Sequence, residues 1–109
     1  MIEETPMIRQ YKHLKCEAPL GSLLLFRLGD FFEAFGDDAV RLSAAFDVPC
    51  GLRGGVSMAG CLCDSFWELA RRLTASGIVF VIAEEMESRA GSRLPRREIV
   101  RTVKGGPIE

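Results

Sequence analysis

The segment Phe26–Phe35 places aromatic rings and a carboxylate unusually close together. It contains the sequence Phe-Phe-Glu, in which Phe31 and Glu33 are separated by one residue. In an extended strand, residues two apart project from the same face, about 7 Å apart along the chain. An aromatic ring can wedge into a base step of a duplex, and a neighbouring carboxylate can accept a hydrogen bond from a displaced base. The pair is therefore a candidate for contact with nucleic-acid bases. From the spacing alone, the favoured interpretation is a core hairpin with Phe31 buried and Glu33 at its rim.

The cysteine and histidine spacing does not predict a metal site. Cys61 and Cys63 are one residue apart, which is neither the redox nor the zinc-knuckle spacing. The single histidine, His13, lies in a separate segment, and Cys16 and Cys50 complete no disulfide-scaffold pattern. We therefore expect no metal ion, and buried, reduced thiols in a cytoplasmic protein.

The apolar runs of the chain are short. The longest, Leu23–Phe26 and Ile78–Ala83, fall far below the length of a membrane span. The first residues lack the basic region and apolar run that mark a signal peptide. We expect neither a signal peptide nor a membrane partner.

Acidic side chains offer an enzymatic alternative. Six of them could in principle hold Mg²⁺ for a nuclease: Asp30, Glu33, Asp37, Asp38, Glu84 and Glu85. No lysine accompanies them at a nuclease-like spacing, and Asp37 and Asp38 are better interpreted as helix caps. We therefore expect no catalytic residue and no enzymatic activity.

Charge is unevenly distributed along the 109 residues, although the formal net charge is only −1. Residues 30–47 carry five acidic side chains and one arginine. Residues 89–104 have a local net charge of +5. A basic loop and strand of this kind can follow a phosphate backbone, but on charge alone a solvated surface loop is the favoured interpretation.

Interleaved strand and helix patterns must position these side chains. We predict one domain over residues 1–109, with a core at roughly 5–107, a mixed α/β (α+β) fold class and a central mixed sheet flanked by about three helices. Helices are expected after Thr5-Pro6, from Asp37 or Asp38 to about 46, and after a capping box at Ser65. Strands are expected at 23–28 and 31–35 as a hairpin, and then near 51–53, 56–59, 78–83 and 98–103, with a polar loop over 86–96.

An ordered set of motifs resembles the N-terminal mismatch-recognition domain of the MutS family of DNA mismatch repair proteins. The resemblance covers roughly Thr5 to Pro107. In family order, the motifs are Thr5-Pro6-Met7 with Gln10-Tyr11 and Leu14-Lys15, Leu24–Phe35 with Asp37-Asp38-Ala39, Leu52-Arg53-Gly54, Met58-Ala59-Gly60, Ala83-Glu84-Glu85 and Val100–Val103.

The resemblance implies specific roles. In the family, a Phe-x-Glu pair enters the minor groove of kinked DNA, where the ring stacks on a mispaired or unpaired base and the carboxylate hydrogen-bonds to it. Those roles fall on Phe31 and Glu33. Arg53 and Arg101 match basic positions of the family domain, and Met58 matches a loop residue near the groove. The implied partner is double-stranded DNA with a mismatch or small loop, with other MutS-type domains or repair proteins as further partners.

The chain departs from the family pattern in its loops and its extent. Phe32 replaces a usual tyrosine, and Cys61-Leu62-Cys63 stands where the family usually has proline and an aromatic residue. The family's connector, lever, clamp and ATPase domains have no counterpart, and no phosphate-binding Gly-Lys-Ser/Thr loop occurs. We therefore expect no cofactor in this chain. The alternative function is a protein-interaction or homodimerisation module that keeps the fold but has lost DNA recognition.

Overall fold

The computed structural model describes residues 4–86 and 96–104, which form a six-stranded sheet with helices against both faces. The α-helices in these ranges are α1 (Pro6–Glu17), α2 (Asp37–Phe46) and α3 (Phe66–Ala75), the last preceded by a 3₁₀ turn at Cys63–Ser65. The strands are β1 (Leu23–Leu28), β2 (Phe31–Phe35), β3 (Cys50–Arg53), β4 (Val56–Leu62), β5 (Phe80–Met86) and β6 (Arg96–Val103). None of the helices described is long and apolar enough to cross a membrane.

The sheet is mixed, with strand order β3-β4-β2-β1-β5-β6. Every neighbouring pair is antiparallel except β1 and β5, which run parallel. The predicted hairpin is confirmed, because Leu28 pairs with Phe31 across a turn in which Gly29 has φ 59°. A central mixed sheet with three helices confirms the predicted fold class.

Helices α2 and α3 pack on one face of the sheet, the α2/α3 face. Its buried side chains include Leu23, Leu25, Ala34, Ala39, Leu42, Leu69, Leu73 and Phe80. Phe32 packs against Phe66 with ring centroids 4.3 Å apart, and Phe66 meets Phe80 at 5.8 Å. This stack fixes β2 against α3 and therefore fixes which side chains of β2 point to the other face.

Helix α1 covers the opposite face, the α1 face. Its buried side chains Ile8, Tyr11 and Leu14 pack with Leu24, Phe26, Phe35, Val81 and Ala83. The Tyr11 ring meets Phe26 edge-on at 4.9 Å and Phe35 at 5.2 Å. The run Leu23–Phe26 is apolar without interruption because β1 is buried on both sides.

The interpretation of Asp37 and Asp38 as helix caps is wrong. Gly36 is the N-cap residue of α2, and no side chain caps it. Asp38 is instead buried in the first turn, where it accepts hydrogen bonds from the Leu24 amide (3.0 Å), the Tyr11 hydroxyl (2.9 Å) and Lys15 Nζ (2.9 Å). Burial, followed by the charge of Asp38, raises the pKa of Tyr11. This network joins α1, α2 and β1.

The other predicted boundaries are mostly confirmed. Thr5 caps α1 through its hydroxyl, which accepts from the Ile8 amide at 3.2 Å, and the helix ends before Pro19. Ser65, in contrast, forms no side-chain capping bond, so the predicted capping box is wrong. Strand β4 runs three residues beyond the predicted end at Ala59. Strand β5 ends at Met86 and β6 begins at Arg96, so the predicted strand bounds at 83 and 98 and the predicted loop positions 86 and 96 are wrong; the rest of that loop lies outside the described residues.

Candidate nucleic-acid interface

Successive side chains of β2 point to opposite faces of the sheet. Phe31, Glu33 and Phe35 face the α1 side, and their partners on β4 are Leu62, Gly60 and Met58. Their burial differs, since Phe35 is 2% exposed beneath α1 whereas Phe31 is 44% exposed beyond the helix. The alternative in which Phe31 is a buried core residue is therefore wrong.

The β3–β4 hairpin brings Arg53 and Met58 to the same face as Phe31 and Glu33. Arg53 pairs with Val56 across Gly54 and Gly55, both of which have positive φ. Directly opposed residues share a face, and Val56, Met58, Gly60 and Leu62 alternate along β4, so all four candidates lie on the α1 side. We call the exposed part of this face the β2–β4 surface, formed by Phe31, Glu33, Arg53, Met58, Gly60 and Leu62.

Glu33 lies half-buried on the β2–β4 surface. Desolvation by this burial raises the pKa of its carboxyl group, and the positive charge of Arg53 opposes the shift. Loss of water disfavours the charged form of a carboxylate, whereas a nearby cation favours it. The acid therefore stands beside an exposed aromatic ring with its charge partly compensated.

Two members of this surface are not predicted from the sequence. Leu62 is directly opposite Phe31 and is 49% exposed, so it extends the apolar area around the ring. Gly60 is directly opposite Glu33. Both follow from the β2–β4 register once β4 is continued past Ala59, and that continuation is what the pattern of Gly60–Cys63 failed to indicate.

Arg101 lies apart from the other four candidates. It pairs with Ile82 beside an irregularity in the β5–β6 register, and it borders the α2/α3 face. There it lines a groove of about 680 Å³ together with Phe66, Trp67, Ile82 and Val100. The structure thus brings together Phe31, Glu33, Arg53 and Met58, and leaves Arg101 on the opposite side of the sheet.

The basic segment does not form one continuous cationic surface over its described part, 96–104. Arg97 points to the α1 face, where its guanidinium lies 5.2 Å from the centre of the Phe26 ring and donates to Gln10 Oε1 at 2.7 Å. Arg96 lies 3.7 Å from Glu98. Arg89 and Arg93 lie outside the described residues.

The acidic residues of the nuclease alternative are dispersed. Glu84 pairs with Arg27 at 3.2 Å on the α2/α3 side, and Asp38 is buried in its network with Tyr11. Among the residues that the structure describes, no group of three or more histidine, cysteine, aspartate or glutamate side chains is arranged to hold a metal ion.

A family model described as MutS domain I matches residues 5–108. The chain belongs to the MutS family. Among curated relatives, the DNA mismatch repair protein MutS of Fervidobacterium nodosum is 36% identical over 95% of this chain. The proteins of the same name from Petrotoga mobilis and Chlamydia abortus are 37% and 35% identical over 99% and 95% of the chain.

The MutS resemblance drawn from the ordered motifs is confirmed by these matches, and the mixed sheet with three helices is consistent with a MutS domain I fold. The chain spans 13% of the length of each of these MutS relatives. Within that share, the match includes the β2–β4 surface, because residues 5–108 contain all of its members.

Proposed function

We propose that this chain is a DNA-binding module that recognises mismatched or unpaired bases in MutS-type mismatch repair, without catalysing a reaction itself. The observation that carries the proposal is the exposed ring of Phe31 with the Glu33 carboxyl group on the same face of β2. Membership of the MutS family and the printed names of the relatives support the biological setting.

Phe31 supplies the stacking step. A ring that stands beyond the cover of α1 can enter a base step from the minor groove, and partial unstacking costs a few kcal/mol. A mispaired or unpaired base has already lost part of its stacking and pairing, so the same wedge is less costly there. Stacking on the ring returns about 1–3 kcal/mol per base. The preference for a mismatch then equals the difference between the cost of unstacking a correctly paired base and the cost of unstacking a mispaired or unpaired one.

Glu33 supplies the polar contact. A carboxylate near phosphates is repelled unless it meets a base edge or takes up a proton. Burial that raises the pKa of Glu33 makes the protonated form easier to reach in this site than in solvent. In either form the side chain can hydrogen-bond to a displaced base, accepting when ionised and donating when protonated.

The other candidates have supporting roles. Arg53 offers a cation for the phosphate backbone on the side of Glu33, and Met58 lies half-buried between them and the core. Arg101 borders the opposite face of the sheet, and we propose that it does not contact the duplex segment that meets Phe31. We propose Phe31 and Glu33 as the specificity pair and Arg53 as the backbone contact.

The experiment is a titration of the chain with labelled duplexes containing a G·T mismatch, a one-base bulge or no defect, at two salt concentrations. We expect tighter binding to the defective duplexes. Phe31→Ala should remove the preference, at a cost of about 1–3 kcal/mol in binding to the bulge. The matched control is Trp67→Ala, which removes an aromatic side chain that is 84% exposed on the α2/α3 side. Equal affinity for matched and mismatched duplexes at low salt would defeat the proposal.

A second candidate function is contact with another protein surface, and the groove beside α3 favours it. Trp67 and Val100 are 84% and 45% exposed at this groove, although both are apolar. We propose that its occupant is another part of a MutS protein, because the relatives contain far more chain than this domain and the groove lies on the opposite face of the sheet from Phe31.

The test mixes the chain with a relative's MutS protein from which domain I has been deleted, and follows co-sedimentation. We expect association that Trp67→Ala weakens and Phe31→Ala does not. Association that only Phe31→Ala disrupts would instead support the alternative in which the exposed ring contacts protein and DNA recognition has been lost.

A further inference from the structure

Gly60 occupies a position that no side chain can share with the present structure. A Cβ atom built on it would lie 2.7 Å from Cδ of Glu33, and closer still to Oε2 of Glu33 and the carbonyl oxygen of Phe32. The space that a side chain would fill at residue 60 is therefore taken by the Glu33 carboxyl group and by the backbone of β2.

Gly51 provides a contrast on the adjacent strand. Gly51 lies on β3, pairs with Met58 of β4 and faces the same side of the sheet as Gly60. A Cβ atom at Gly51 would nevertheless meet nothing within 4 Å. Neither glycine has a positive φ, so backbone conformation does not require glycine at either position. The requirement at residue 60 is one of space alone.

We propose that Gly60 is a positioning residue of the β2–β4 surface. Because Gly60 has no side chain, it leaves a space above the strand, which we call the seat, in which the Glu33 carboxyl group lies beside Phe31. The proposal rests on the proposed function for its biological meaning. A glutamate on an open strand samples several rotamers, and fixing it costs conformational entropy at the moment of binding. A seat that holds the side chain beforehand reduces this cost and keeps the acid at a set distance from the ring.

The seat also accounts for the surroundings of Glu33. The carboxyl group lies down on the sheet and is half-buried, although β2 leaves its neighbour Phe31 well exposed. Arg53 and the Cys61 thiol are the titratable groups whose interactions with it are resolved, and Arg53 supplies the compensating charge. A larger residue at position 60 would push the carboxyl group outwards, into water and towards the phosphates.

The first measurement uses the wild-type chain without DNA. We expect nuclear Overhauser contacts between the Glu33 γ-protons and the Gly60 α-protons, together with side-chain couplings typical of one rotamer. Rotamer averaging at Glu33 would overturn the proposal. This measurement needs no variant, so it decides the question even where a substitution at residue 60 prevents folding.

The second measurement compares Gly60→Ala with Gly51→Ala, each with Glu33 intact and in the Glu33→Ala background. With Glu33 intact, Gly60→Ala should lower the ratio of bulge to matched binding by about tenfold, the scale of one hydrogen bond to a charged group. In the Glu33→Ala background the same change should lower this ratio clearly less, because the Glu33 carboxyl group is then gone and only the Phe32 carbonyl oxygen stands in the way of the new Cβ, and dependent substitutions do not add. Gly51→Ala should be silent in both.

Equal losses from Gly60→Ala in the two backgrounds, in folded variants, would mean that Gly60 acts on the sheet and not through Glu33. In that case the proposal fails and the proposed function stands. A wild-type chain without mismatch preference has the opposite meaning, because it defeats the proposed function while the contacts of the free chain still report whether the seat exists.

Discussion

Phe31 and Phe32 are adjacent and identical in type, yet their surroundings are opposite. Phe32 stacks on Phe66 in the α2/α3 core, whereas Phe31 projects beyond α1. The period of a strand predicts that they face opposite sides, and this part of the site follows from the sequence alone. Which side is covered depends on where α1 ends across the sheet, and no local pattern encodes that distance.

At the residue scale, Glu33→Gln should stabilise the chain at neutral pH. Burial raises the pKa of Glu33 in the folded state, so the folded chain binds more protons than the unfolded chain just above the ordinary value of 4.5. Stability is therefore full below that value and falls as the pH rises through the raised pKa. The glutamine variant lacks this loss, so we expect a gain of less than about 1 kcal/mol at pH 7 and none at pH 4. Urea unfolding at both pH values measures it, and a larger difference at pH 4 would contradict the assignment.

At the element scale, the hydrophobic and capping patterns of the sequence predicted the helices and strands. The hydrogen-bond partners of individual side chains determine how the helices begin and which face each side chain borders. Asp38 has the residue type and position of a helix cap, but Tyr11, Lys15 and the Leu24 amide are all within reach of its carboxylate, and none of them is near it in sequence. Arg101 was predicted from family position, and a register irregularity between Ile82 and Ala83 helps decide which face of β6 it borders. Sequence periodicity therefore does not predict contacts between residues far apart in the chain, nor irregularities in the strand register.

The Asp38 network predicts strong dependence of the fold on one carboxylate. Asp38→Ala leaves the Leu24 amide without its acceptor and removes the buried negative charge beside Lys15, while the Tyr11 hydroxyl and Lys15 keep only the carbonyl oxygens of Leu24 and Ser22. We expect a loss of about 3 kcal/mol in the free energy of unfolding. Asp37→Ala is the matched control, since Asp37 is exposed in the same helical turn, and should cost less than about 1 kcal/mol. Denaturant unfolding compares the two, and similar losses would show that the network is unimportant.

The helix starts give a second test at this scale. Thr5 caps α1 through its hydroxyl, whereas Ser65 precedes α3 without a capping bond. Thr5→Ala should therefore lower the unfolding free energy by about 1 kcal/mol, and Ser65→Ala should change it by less than about 0.5 kcal/mol. Thermal unfolding of both variants is the measurement. A larger loss at Ser65 would restore the predicted capping box.

At the scale of the whole molecule, the sheet separates two surfaces of different character. The α1 side carries Phe31, Glu33 and Arg53, and the α2/α3 side carries the groove at Trp67. The net charge of −1 gives no general attraction to a polyanion, so binding to DNA must come from a few local contacts. The chain alone is therefore expected to bind weakly, because a small interface leaves little surplus over the cost of association.

Salt dependence should reflect this small number of contacts. We expect the logarithm of the affinity for matched duplex to fall with the logarithm of salt concentration with a slope of about −1 to −3. Arg53→Gln should make the slope shallower by about 1, whereas Arg101→Gln, on the other side of the sheet, should leave it unchanged. A slope that depends on Arg101 and not on Arg53 would place the duplex against the α2/α3 side.

The position of Trp67 has a practical consequence. It is the single tryptophan of the chain, and it stands exposed at the groove, across the sheet from Phe31. Its emission is therefore an intrinsic optical label for one side of the molecule. A duplex bound at Phe31 should leave the emission wavelength where it is, while a partner that covers the groove should shift it to the blue. With a fluorescent dye on the DNA, the two binding events become separate colours in a single sample.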